Sequence, residues 1–224
     1  MSNIEENYQN ILSVVQRSQN ENKNSKETPR IIAVSKTRTL SEINKAYDCG
    51  LRDFGENYLQ EAIKKIDSLQ HSVDWHFVGS IQSNKTKQIA HYFQWVHTIT
   101  RFKIAKMINS YRDDPMNVCI QIKLQDNDPR ESVLISDLQN LARQISELDN
   151  IKLRGLMGIT TPDIPKTKRP KYFKKLTQAF DNLNKQGFGL DTISMGMSDD
   201  YDLAIQNRSN MIRIGTALFG ERSI

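Results

Sequence analysis

From Ile31 onward the sequence alternates short β-type runs with longer helical ones, and this alternation constrains the fold more than any single motif. "IIAVS" precedes "TLSEINKAYDCG", where Leu40, Ile43, Ala46 and Tyr47 share one helical face, Thr39 or Ser41 can cap the start and Gly50 closes the end. "LRDFGEN" leads into "YLQEAIKKIDSL", "WHFVGS" into "NKTKQIAHYF", "FQWVHTI" into "RFKIAKMINSYR", and "NVCIQIKL" into the periodic "SVLISDLQNLARQISEL". "IKLRGLMGI" is followed by a Pro- and Lys-rich loop, "TTPDIPKTKRPK", and the helix "YFKKLTQAFDNLNKQ". "TISMG" pairs with "SDDYDLAIQN", and "MIRIGTALFG" supplies an eighth strand and a final turn. Strands buried on both sides and joined by helices form a parallel sheet. An open doubly wound sheet meets this pattern too, but eight repeats in 224 residues favour a closed barrel, a fold of roughly 250 residues. The expectation is a single α/β domain over residues 1–224, a (β/α)8 TIM barrel. An N-terminal helix, in which Ile4, Tyr8, Ile11, Leu12 and Val15 recur with helical period, precedes it.

Composition narrows the function classes. With 38% hydrophobic and 25% charged residues the chain has the material for an ordinary core. Its net charge of +5 arises from 31 basic residues interleaved with 26 acidic ones and not from a basic tail, which argues against a nucleic-acid partner. Cys49 and Cys119 lie far apart, outside any CxxC or His-rich context. Neither a disulfide framework nor a zinc site is expected, and a reducing compartment fits. No HExxH spacing is present, so no metal is expected. The N-terminal segment carries acids where a signal peptide has a basic stretch, and no run approaches the roughly 18 apolar residues of a spanning helix. The expected location is the cytoplasm, with no membrane partner.

In a (β/α)8 barrel the chemistry sits where the strands end. Ser35–Lys36 follows the first strand, Gly55–Asn57 the second, Gly79–Asn84 the third, His97–Thr100 the fourth, Met157–Thr160 the sixth, Ser194–Ser198 the seventh and Arg213–Thr216 the eighth. "SMGMSDD" delivers Ser198 as a candidate helix N-cap, with the free N–H groups of Asp199 to Tyr201 beyond it as an anion site. "RIGTALFG" sets Gly215 and Thr216 just past the last strand, in the region where such barrels commonly bind phosphate. Asp199 and Asp200 suit a helix start but repel a phosphate unless they point away. The plain alternative is that Ser198 only caps and Gly215 only turns the chain. Lys36 at the barrel mouth has a plain alternative too, a solvated strand tip. Shielded by apolar neighbours and near another cation, however, a lysine amine becomes nucleophilic enough to take a carbonyl as a Schiff base. Pyridoxal 5′-phosphate (PLP), an aldehyde bearing a phosphate, would use both features.

Seven segments, "AVSKT", "FGENYLQE", "WHFVGSIQSNK", "HTI", "LRGLMGI", "SMGMSDDYDLAI" and "MIRIGTALFG", occur in the order and spacing of one family. From Ile31 to Gly220 the chain resembles the YggS/PROSC family, the pyridoxal phosphate homeostasis proteins, similar in fold to the N-terminal barrel of alanine racemase. The resemblance implies that Lys36 carries PLP as a Schiff base and that Arg213 faces the pyridine nitrogen. It also implies that Ser198, Gly215 and Thr216 hold the phosphate, and that Asn57 lies near the cofactor. The implied role is PLP homeostasis by reversible binding, a carrier and not an enzyme, expected as a monomer with apo PLP-dependent enzymes as candidate partners. The alternative is an amino-acid racemase-like PLP enzyme. Alanine racemase draws its second acid/base, a tyrosine, from a further β domain of a partner subunit, and this chain is expected to lack that base unless Tyr58 or His76 replaces it. An arginine beside the ring nitrogen keeps that nitrogen unprotonated and the cofactor a poor electron sink. Two segments depart from the family pattern. The loop "QDNDPRESVL" carries Arg130 and Ser132 where relatives have a lysine and a glycine, and "TTPDIPKTKRPK" is richer in proline and lysine.

Overall fold

The computed structural model describes residues 3–21 and 28–221. Eight parallel strands close into a barrel in sequential order: β1 (Arg30–Val34), β2 (Asp53–Glu56), β3 (Asp74–Phe77), β4 (Trp95–Ile99), β5 (Met116–Gln121), β6 (Ile151–Met157), β7 (Thr192–Met197) and β8 (Met211–Ile214), with β8 pairing back onto β1. Helices α2 (Leu40–Asp48), α3 (Leu59–Ser68), α4 (Thr86–Tyr92), α5 (Phe102–Asn109), α6 (Ile135–Ser146), α7 (Arg169–Lys185) and α8 (Tyr201–Gln206) follow the first seven strands, and the short α9 (Thr216–Phe219) follows the eighth. The (β/α)8 expectation is met.

Local chemistry explains the element ends. Thr39 caps α2: its hydroxyl accepts from the Glu42 backbone N–H while the Glu42 carboxylate accepts from the Thr39 N–H, a reciprocal capping box. Ser41 plays no part in that cap. Gly50, with φ of 104°, turns the chain out of the helix in the left-handed region that favours glycine. The helix in the "TTPDIPKTKRPK" region begins at Arg169, three residues earlier than the periodicity suggests, with Pro170 in its first turn, where a missing N–H costs nothing.

A four-residue α9 cannot cover the seam where β8 meets β1. α1 (Ile4–Glu21) does so by packing against α2, α8 and α9, with Ile4, Ile11 and Val15 buried and the Asn7 amide donating to the Leu218 carbonyl at 2.9 Å. Two cores result. The larger lies between strands and helices; a smaller one inside the barrel joins Ile32, Trp95, Cys119, Met157 and Met211. Because side chains alternate along a strand, the residues two apart from these also face the lumen: Val34 and then Lys36 beyond Ile32, His97 beyond Trp95, and Arg213 beyond Met211. His97 therefore belongs to the interior of β4 and not to its tip, as the strand-end reading had it; it is fully buried.

Candidate functional site

Period two answers why an apolar strand should lead to Lys36: the alternation that buries Ile32 aims Lys36 up the lumen into the mouth. There a cavity of about 300 Å³ is lined by Lys36, Asn57, Ser198, Arg213, Gly215 and Thr216, so all six residues singled out in the sequence converge on one space. Val34, Val78, Ile159 and Met197 form its apolar walls.

Lys36 is anchored on both flanks by a buried ionic cluster. Lys65, projecting from α3, donates to the Ser35 carbonyl at 2.6 Å, to Glu56 Oε1 at 2.7 Å and to Glu61 Oε1 at 2.5 Å. The Ser35 hydroxyl donates to the same Glu56 oxygen at 2.6 Å, and the Thr37 N–H donates to Glu61. Thr37 has φ of 64°, a left-handed turn rare for a β-branched residue, which the Glu61 contact helps to hold. Burial pushes the Glu56 carboxyl up, against the opposing pull of Lys65 and Ser35. Sequence reading missed this cluster. Its one signal was a lysine in the apolar stripe of α3, three residues beyond Ala62.

The phosphate-suited end differs from expectation. The N-cap of α8 is Asp200, not Ser198. The Ser198 hydroxyl instead accepts from the backbone N–H groups of Gly215 (3.2 Å) and Ala217 (3.1 Å), across the gap between β7 and β8. Gly196, at φ of 92° beside a register shift between β7 and β8, turns Met197 and Ser198 toward the mouth; a Cβ there would lie 2.6 Å from the Ala204 Cβ. The hydroxyls of Ser198 and Thr216, with Gly215 beside them, line the cavity and make a set of the kind that receives a phosphate.

The two aspartates that counted against this site are neutralised. Asp199 pairs with Lys166 at 2.9 Å and with Arg169 at 2.7 Å. Asp200 takes Arg169 at 3.0 Å, the Thr160 hydroxyl at 2.9 Å and the Met197 N–H at 2.8 Å. The Lys166 and Arg169 contacts hold the Asp199 carboxyl below its ordinary range. Thus the Pro- and Lys-rich segment, left without a role by its sequence, supplies the cations that pair with both carboxylates beside the mouth.

Arg213 is buried, its Nη1 donating to Ser194 Oγ at 2.6 Å and its Nη2 to the Gly158 carbonyl at 3.0 Å. Burial pushes its pKa down to about 10, opposed by Asp200. Asn57 lines the cavity, and its buried Oδ1 has no hydrogen-bond partner within the protein, an acceptor suited to a ligand donor. Gly79 lies so close that a Cβ would meet the Asn57 carbonyl oxygen at 2.1 Å. Arg130, in the divergent β5–α6 loop, is fixed by Asp128, its Nε and Nη2 each donating at 2.8 Å. Neither Tyr58, which is solvent-exposed, nor His76, which is buried lower in the lumen, lines the cavity.

The family model described as "Alanine racemase, N-terminal domain" matches residues 2–223. The Pyridoxal phosphate homeostasis protein of Pseudomonas aeruginosa is 41% identical over 226 residues, 99% of this chain and 97% of its own. The protein of that name from Escherichia coli K12 is 41% identical over 205 residues, 88% of each chain. The chain belongs to the pyridoxal phosphate homeostasis protein family. Among solved structures, PipY of Synechococcus elongatus PCC7942 is 31% identical. Its form without PLP superposes with a TM-score of 0.87, covering 97% of this chain and all of PipY. Its form with PLP bound gives 0.81 over 92% of this chain. The resemblance read from the seven sequence segments is thereby borne out at the level of family and fold.

Proposed function

We propose that this protein binds PLP reversibly at Lys36 and serves intracellular PLP homeostasis, holding the cofactor without turning over amino acids. The single observation that carries the reading is the convergence of Lys36, Arg213 and the Ser198–Gly215–Thr216 donor set on one cavity of about 300 Å³. PLP supplies an aldehyde that condenses reversibly with an amine, which suits a store that must also release. The chain's own residues divide the remaining work. Lys36 offers the amine, Ser198, Gly215 and Thr216 hold the phosphate, and Arg213 faces the ring nitrogen. Asn57 receives a donor from the cofactor's edge. PLP bound to PipY and the names of the 41%-identical relatives support this assignment.

Lack of turnover is supported by the lining itself. Apart from Lys36 and Arg213, the titratable group at the cavity is Asp199, whose carboxylate is already committed to Lys166 and Arg169 and is a poor base. The proposal extends to a cytoplasmic monomer that exchanges cofactor with apo PLP-dependent enzymes; among the described residues no helix is long and apolar enough to cross a membrane.

The test is an absorption spectrum of the purified protein with PLP. A visible band is expected that borohydride abolishes while fixing the cofactor to the peptide containing Lys36, and Lys36→Ala removes it. Retention of the band in Lys36→Ala overturns the assignment, and racemisation of amino acids above background overturns the non-enzymatic reading.

A further inference from the structure

Below the cavity a line of buried polar groups runs the length of the lumen. Arg213 Nη1 donates to Ser194 Oγ at 2.6 Å; Ser194 Oγ lies 2.9 Å from His97 Nδ1; His97 Nε2 lies 3.0 Å from His76 Nδ1; and His76 Nε2 lies 2.9 Å from Asp53 Oδ1. Ser194, His97 and His76 are each fully buried. At the opposite end of the barrel, Asp53 and Asp74 are bridged by Arg30, so the three donor atoms of Asp53, Asp74 and His76, although close enough together for a metal, already face a guanidinium. Trp95 stacks on His76 at 5.5 Å and 14°, fixing its ring plane.

The proton positions follow from the two ends. A carboxylate only accepts, so His76 carries its proton on Nε2 and presents a bare Nδ1. His97 must then donate from Nε2, which leaves its Nδ1 bare to accept from the Ser194 hydroxyl. With its own proton so used, the Ser194 oxygen is open to Arg213. The reverse order turns a bare His76 Nε2 toward Asp53, lone pair against carboxylate. Burial lowers the pKa of both rings, that of His97 further through His76 and Arg213, which keeps them neutral and single-donor.

We propose that Asp53, His76, His97 and Ser194 form a one-way hydrogen-bond chain that positions Arg213 at the cavity, its direction fixed by Asp53 from the far end of the barrel. These are positioning residues: none of them lines the cavity. Each link polarises the next, so the chain acts as a unit and not as four separate contacts. The guanidinium is thereby pinned by Ser194 on one side and Gly158 on the other, with one orientation toward whatever occupies the mouth.

The test uses ¹⁵N-labelled protein at neutral pH, where long-range ¹H–¹⁵N correlations report each ring tautomer. Both His76 and His97 are expected as Nε2–H; an Nδ1–H or doubly protonated ring at either position overturns the chain. In Asp53→Leu, the oxygen that both Arg30 and His76 contact is gone, so nothing fixes the His76 proton on Nε2 and Nδ1–H rings should appear at both positions. Ser194→Ala is the second variant and should leave the His76 tautomer unchanged. In both variants solvent exchange of the Arg213 guanidinium protons is expected to quicken by roughly tenfold, the weight of one hydrogen bond; unchanged exchange in both overturns the positioning role. A shift in the visible band of bound PLP is expected alongside. That readout alone rests on the functional proposal, so failure of wild-type protein to bind PLP would refute the function while the tautomer and exchange results still decide the chain.

Discussion

Lys36 owes its position to residues that a motif does not reveal. Its side chain faces the mouth because of strand alternation, but its backbone is held by Lys65, Glu56 and Glu61, which together tie Ser35 and Thr37 down. Lys65 and Glu56 are both buried, and removal of one partner strands the other's charge, a loss of about 3–5 kcal/mol. Lys65→Met is therefore expected to destabilise the fold by that amount and to weaken PLP binding, measured by chemical denaturation and by titration of the visible band. Glu56→Gln combined with Lys65→Met should recover most of the stability, because no buried charge is left unpaired. A single Lys65→Met variant as stable as wild type would contradict the cluster. At this scale Lys36, Asn57 and Arg213 were legible, since strand-end position and family pattern name them. Glu56 and Lys65 were not, because a glutamate at a strand end and a lysine on a helix look like surface residues until the fold brings them together.

At the scale of elements, the loop joining β6 to α7 turns two unfavourable charges into structure. Arg169, the first residue of α7, holds both Asp199 and Asp200, while Lys166 meets Asp199 at the surface. Asp200 is buried, so Arg169→Ala is expected to cost about 3–5 kcal/mol and to weaken PLP binding in a salt-dependent way, as Asp199 is freed near the phosphate end. Lys166→Ala, which removes an exposed contact, should cost under about 1 kcal/mol. Thermal melts and PLP titrations at low and high salt separate the two. The sequence could not assign this loop a role because its partners lie some 30 residues further on, past β7. The same separation explains the error at Ser198. A serine before a helical run reads as that helix's cap, whereas the N–H groups it serves belong to Gly215 and Ala217, brought alongside by the pairing of β7 with β8.

Across the whole molecule, the polar line through the lumen couples stability to pH. His76 and His97 are fully buried with their pKa values below the usual 6.5, chiefly through burial. As pH falls through 6.5 the unfolded chain binds protons that the folded one refuses, so stability declines by about 1.4 kcal/mol per pH unit for each ring that stays neutral. Burial raises the Asp53 carboxyl, but His76 and Arg30 outweigh it and hold it below 3.8, which adds a further loss at more acid pH. Above pH 6.5 these groups give no change. Melting temperatures are expected to be level from pH 8 to 7 and to drop steeply toward pH 5; a flat profile to pH 5.5 would contradict neutral buried histidines. The sequence by itself determined the barrel, because eight repeats of apolar strand and amphipathic helix bury their faces in few other ways; a lysine after the first strand and a Gly–Thr turn after the last made a phosphate-bearing aldehyde one candidate, and the family resemblance singled it out. What the tertiary structure alone decided is how those residues are held: which carboxylates are neutralised, which N–H groups Ser198 meets, and that two histidines and a serine link Arg213 to Asp53. Those are contacts between side chains tens of residues apart, set by register and lumen packing, and local periodicity carries no record of them.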